Sequence, residues 1–297
     1  MKATERSQVD PLAPIPEGNF DRAAAAHLLR RAAFGASPAR LQQVEAAGLE
    51  ATLDELFLGA ATVRPAEEIA LPESLGVRSV VQADLVGLAL AREGSAARAA
   101  ALRERLVWMW HGRFATSDEK VRDPVLMARQ IELFRRLALG PFDALVLGVL
   151  EDPAMLLWLD GTLNTKGQPN ENLARELMEL FCLGRGSYSE VDVQEASRGL
   201  SGWRVEGRRA RFDPRRFDDG EKCVLGRRGA LEHRGVASAV LAADAAPPHL
   251  ARLLVQTFVS DGPEPELEAA LAAALRAADL QLAPVLRRLF ASEAFFA

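Results

Sequence analysis

The chain has little with which to build a metal or disulfide centre. Of its 297 residues only two are cysteine, Cys182 and Cys223, and four are histidine. None of them falls in the close Cys/His spacing of a zinc site. Two cysteines fit a reduced compartment or a single disulfide equally well. Aromatic residues make up 6% of the chain, and no uncharged apolar run reaches the roughly 18 residues that a membrane-spanning helix needs. The opening stretch MKATERSQVDPLAPIPEGNF has neither the apolar core nor the small-residue cleavage site of a secretory signal. Residues 1–18 therefore read as a disordered lead-in, and the chain as it stands reads as a soluble, cytoplasmic one. A net charge of −5 gives no global footprint for nucleic acid or an anionic membrane.

What the chain does have is Ala, Leu and Arg, which lose little entropy in a helix. Start and stop signals recur at helical intervals. Asp21 opens a helix that Gly35 closes. Ser37 with Pro38 opens a second that Gly48 closes, and a short third follows at EATLDELFLGA. Longer helices are expected over Val77–Arg92 and Ala96–His111, separated at EGS. Asp123-Pro124 and Asp152-Pro153 repeat one device, an aspartate cap followed by a proline whose missing N–H costs nothing in the first turn. Ser189 and Asp192 form a capping pair. One segment departs from helical periodicity: residues 203–226 carry short alternating runs bounded by Gly, Pro and Asp and read as a β-hairpin excursion. The expected fold is mainly α, a single multi-helical domain over residues 19–297.

The most polar helix is QPNENLARELMELFCLG, residues 168–184. At 100° per residue, Glu171, Asn172, Arg175, Glu176 and Glu179 share one face, and Leu173, Leu177, Leu180 and Phe181 take the other. Glu171, Arg175 and Glu179 stand at i, i+4 and i+8, the spacing of a surface ion-pair ladder. The preceding turn-rich connection, with Asp160, Asn164 and Asn170, is of the kind that carries function more often than cores do. Two readings follow. In one, the segment turns inward as a polar site: Glu176 is the acid/base or ligand, Arg175 neutralises Glu171 or Glu179, and His111 at the end of its own helix completes the group. Asp160, Asn164, Asn170, Glu171, Asn172 and Glu179 then line it. In the other, the same residues clamp a loop to a helix in a non-enzymatic scaffold or partner-binding domain. Carboxylates without a nearby histidine argue weakly for metal, so metal and cofactor both stay open. A third reading comes from the 203–229 region, where nine Arg or Lys face five Asp or Glu; this local basic balance would suit a polyanion, and the lack of aromatic interleaving beyond Phe212 and Phe217 argues against nucleic acid.

HLLRRAAFGASPARL, WMWHGRFATSDEKV, DPAMLLWLDG, PNENLARELMELFCLG, YSEVDVQEASRGLSGW and GEKCVLG resemble, in order, blocks of the bacterial "domain of unknown function 1800" family. The resemblance runs from about His27 to the C-terminus. It matches His27, Arg30 and Arg31, then Trp110, His111, Phe114, Ser117 and Lys120. It continues through Asp160, Asn164, Pro169, Asn170, Glu171, Asn172, Arg175, Glu176 and Glu179, and on to Tyr188, Asp192, Glu195 and Trp203. Such a resemblance implies no settled activity. It implies members that are often exported, and a partner encoded by a neighbouring gene of an alkaline-phosphatase-like family. The chain departs from the pattern at Phe217, where the family commonly has histidine, and lacks the usual C-terminal extension. A truncated or degenerate member is the expectation, with any chemistry of that histidine lost.

Overall fold

The computed structural model describes residues 10–16, 18–58 and 95–297; the helix expected over Val77–Arg92 lies outside them. The described residues are mainly helical. In chain order the helices are α1 (Arg22–Ala32), α2 (Pro38–Ala47), α3 (Leu49–Leu58), α4 (Ser95–Arg113), α5 (Asp118–Val121), α6 (Pro124–Leu137), α7 (Phe142–Leu150) and α8 (Pro153–Trp158). Then come α9 (Asn172–Glu176), α10 (Glu190–Gly199), α11 (His233–Leu241), α12 (Ala246–Phe258), α13 (Pro265–Ala277), α14 (Leu282–Ala291) and α15 (Glu293–Phe296).

Local chemistry sets many of the boundaries. Asp21 accepts the Ala24 N–H at the start of α1, and Ser37 accepts the Arg40 N–H at the start of α2. Asp123 caps α6 through Val125 and Leu126, and Asp152 caps α8 through Met155, each with proline in the first turn. Ser189 and Asp192 form a full capping box on α10. Each cap satisfies amides that have no partner inside the helix and is worth about 1 kcal/mol.

One large core cluster runs from Leu12 to Phe295, with two smaller ones around Val44 of α2 and Val121 of α5. Aromatic contacts thread it: Phe142 stacks on Trp110, Trp110 lies against Phe114, and Phe114 meets Phe181 edge-on at 4.8 Å between centroids. The Trp110 indole N–H donates to the Ala138 carbonyl at 3.2 Å, so its polar end is satisfied inside the core. This row fixes α4 against the 168–184 helix. Residues 10–16, within the stretch read as a lead-in, lie against the α14–α15 junction. Leu12 is buried there, the Ile15 N–H donates to the Ala291 carbonyl and the Glu293 N–H to the Ala13 carbonyl.

The β excursion consists of two antiparallel hairpins. Strand β1 (Trp203–Glu206) pairs with β2 (Arg209–Phe212), and β3 (Lys222–Val224) with β4 (Arg227–Gly229). Both have two-residue turns with positive φ at each central position, Gly207-Arg208 and Leu225-Gly226, the geometry that matches strand twist. Between them Asp213 and Asp218 turn the chain, accepting the Arg215 and Gly220 amides and ending the first ladder.

Candidate functional site

The 160–199 segment folds back on itself around buried amide chemistry. Asp160 takes a left-handed conformation, φ 58°, which aspartate tolerates better than most residues. Its carboxylate pairs with Lys120 at 2.8 Å. Asn164 is the keystone of the loop and only 1% exposed. Its Nδ2 donates to the Ser197 carbonyl at 2.7 Å, and its Oδ1 accepts the Asn170 N–H at 3.1 Å. Asn170 in turn accepts the Asn172 N–H at the mouth of α9. One buried asparagine thus joins the loop to α10 and to the entry of the signature helix.

That helix is not uniform. It runs as α over Asn172–Glu176 and widens to a π-helix over Leu177–Leu183. An i→i+5 turn holds more residues than an α turn, so positions four apart no longer stack. The first rung of the ladder forms, with Arg175 Nη2 3.0 Å from Glu171. The second does not: Glu179 pairs with the Arg185 Nε at 2.6 Å and accepts from the Tyr188 hydroxyl at 3.1 Å. These bonds outweigh its burial and hold its carboxyl below the usual range. Arg175 turns to α10 and grips both oxygens of Glu190, at 2.9 and 2.7 Å. With Arg175 35% exposed and Glu171 34%, the face lies along the seam between two helices rather than in the core.

Gly184 ends the π-helix at φ 78°, and a β-carbon there would lie 3.0 Å from the His249 ring. The Leu180 carbonyl, left without a helical partner near this end, accepts from Arg113 Nη1 at 3.2 Å and from His249 Nε2 at 3.0 Å. Basic side chains at a helix C-terminus also meet its negative dipole end.

α10 is the hub on the other side. Asp192 accepts the Leu225 N–H, and Glu195 accepts the Cys223 N–H and pairs with Arg198. Arg198 forks onto Asp218 at 2.9 and 3.1 Å. Lys222, 1% exposed, donates to the Asp218 and Gly220 carbonyls and sits over the Phe217 ring, 4.7 Å from its centroid. Burial lowers the Lys222 pKa, and Asp218 opposes the shift. Phe217, where the family resemblance leads to an expectation of histidine, is therefore a buried ring under an ammonium group. Two arginines of the basic region are paired, Arg204 with Glu206 and Arg208 with Asp123, while Asp218 and Asp219 of the same region are taken by Arg198 and Lys166 from outside it.

Two candidate residues remain unengaged. Glu176 has its Oε2 buried without a hydrogen-bond partner; burial, then the charge of Glu179, raises its pKa against Arg175. His111, at the last turn of α4, has its Nδ1 buried without a partner, and burial lowers its pKa. No hydrogen bond or ion pair joins these two. Asn172 is exposed, and its amide N–H rather than its side chain is used in the turn. Sequence reasoning did not find Glu190, the main partner of Arg175, or the π-widening. Nothing in the helical periodicity signals either.

Among the described residues no group of three or more His, Cys, Asp or Glu is placed to hold a metal ion, and no helix is long and apolar enough to cross a membrane. Clefts of about 680, 500 and 340 Å³ are lined by other parts of the molecule, and residues 160–179 line none of the three. No curated protein and no solved structure matches the chain. The family described as "Protein of unknown function (DUF1800)" matches residues 27–297, and the chain belongs to that family.

Proposed function

We propose that the 160–179 segment is an internal clamp and that the chain works as a non-enzymatic scaffold or partner-binding domain. One observation carries this reading: the polar groups of Asp160, Asn164, Asn170, Glu171, Arg175 and Glu179 are all engaged by other parts of the same chain. A site built for a ligand keeps donors or acceptors turned toward empty space; here they are turned toward α10, Tyr188 and the loop. For the partner, the resemblance supplies a candidate, the alkaline-phosphatase-like product of a neighbouring gene. Co-elution of the two purified proteins in size-exclusion chromatography supports that pairing; separate elution removes it.

Glu176 favours a second reading. Its half-buried carboxylate, with Oε2 unpartnered, is the acidic group of the 160–179 segment free to act as an acid/base or ligand. Because its folded pKa is raised, the folded state holds the proton more tightly than the unfolded chain. The contribution of this group to stability is then full at low pH and is lost as pH rises from the ordinary glutamate range through the raised value. Glu176→Gln keeps the shape and removes the charge. Under the clamp reading it flattens this part of the pH–stability curve, measured by denaturant unfolding, and leaves the protein at least as stable at neutral pH. A marked loss of stability at neutral pH instead points to a carboxylate held by a ligand, and the clamp reading fails for this residue.

A further inference from the structure

A cleft of about 500 Å³ opens between the end of α1, one face of α4 and α12. Its lining includes three arginines, Arg31, Arg105 and Arg113, with Trp108, Met109 and one carboxylate, Asp261. Arg105, Trp108, Met109 and Arg113 stand at i, i+3, i+4 and i+8 on α4, so one helix face presents them together.

Among the described residues Arg31 and Arg113 are held but not neutralised, and Arg105 is neither. Arg31 donates to the Val259 carbonyl at 2.7 Å and Arg113 to the Leu180 carbonyl at 3.2 Å. Arg105 has its Nε buried with no partner. No carboxylate among the described residues forms an ion pair with any of the three. Burial and the neighbouring Arg31 both disfavour the charged form of Arg105. Two guanidinium groups that repel each other in a half-buried cleft are costly, and an incoming anion relieves both costs. Each guanidinium has five N–H donors and has used at most one or two of them, and its fork matches a carboxylate or phosphate. The apolar wall is equally available. Trp108 is 43% exposed, steadied by an edge contact with Phe34 at 6.1 Å. The volume lies in the range of small-molecule sites.

We propose that this cleft binds a small organic anion, with its carboxylate or phosphate between Arg31, Arg105 and Arg113 and its apolar body against Trp108 and Met109. The inference is independent of the clamp reading, because none of these residues belongs to the 160–179 segment.

The test is isothermal titration and thermal melting of the full chain with phenyl phosphate, benzoate, inorganic phosphate and the neutral control phenol. Phenyl phosphate, benzoate or both should bind saturably and raise the melting temperature, with inorganic phosphate weaker and phenol inactive. The tighter of the two organic anions identifies the head group. Arg105→Met removes no hydrogen bond among the described residues, so it should melt at or above the parent while weakening binding about tenfold or more. Arg105→Lys, which keeps the charge and loses the fork, should fall between them. Arg209→Gln, on the distant hairpin, should bind as the parent does. The proposal is overturned if neither organic anion saturates at millimolar concentration, if Arg105→Met binds like the parent, or if Arg209→Gln loses as much affinity as Arg105→Met. Equal binding of inorganic and phenyl phosphate would overturn the role given to Trp108 and Met109.

Discussion

The seam between α9 and α10 and the arginine cleft on α4 are both rich in charge, yet their charges are arranged in opposite ways. In the seam both arginines have met two carboxylates of the same chain and the lysine two backbone oxygens: Arg175 with Glu190 and Glu171, Arg198 with Asp218 and Glu195, and Lys222 with the Asp218 and Gly220 carbonyls. In the cleft, Arg31 and Arg113 are held by single carbonyls and Arg105 is left over. A polar motif is thus a poor guide to a binding site by itself. Whether the charges are closed internally distinguishes scaffolding from readiness to bind, since a buried polar group in a structural role is paired by the protein.

Substitutions can sharpen this contrast. The largest effect is expected where the seam has no slack. A β-carbon on Gly199 would lie 2.4 Å from a Val236 methyl and 3.1 Å from the Leu231 carbonyl, so Gly199→Ala should cost about 3 kcal/mol by overpacking, read from denaturant midpoints. Next is Asn164→Ala, which removes both bonds of the loop keystone and should cost about 2 kcal/mol. It should also speed hydrogen exchange at the Asn170 amide; unchanged exchange there would break the clamp. The smallest belongs to Arg175→Ala: its pairs are a third or more exposed and screened by solvent, so about 0.5 kcal/mol, shrinking further with added salt, is expected. A loss several times larger would mean that the seam behaves as a buried network.

Legibility in the sequence follows the range of the interaction. The caps at Asp21, Ser37, Asp123, Asp152 and Ser189 were readable because a cap and its amides lie within three residues of each other. The mainly helical fold and the β excursion were readable for the same reason, as was the family. The two-hairpin form of the excursion was not, since it depends on Asp213 and Asp218 turning the chain and on Lys222 entering the core. Of the local geometry, part was readable: Asn164 does bond Asn170 at the entry to the helix and Arg175 does meet Glu171, whereas Asp160 turns to Lys120. The Glu171–Arg175–Glu179 ladder assumed α geometry throughout, and the π turn moved Glu179 to Arg185 and Tyr188. Glu190 lies on another helix, beyond what a helical wheel can show. The cleft was missed although half of it was visible, as the arginine, tryptophan and methionine stripe on α4; Arg31 joins it only through tertiary packing.

The Leu180 carbonyl, where Arg113 and His249 converge, bears on folding order. Its two donors lie 67 and 69 residues away, one on each side. Neither bond returns anything until a long loop has closed, so this junction draws on contacts of the kind that slow a chain's search for its native state. It binds the middle of the polypeptide to both flanks at one oxygen atom.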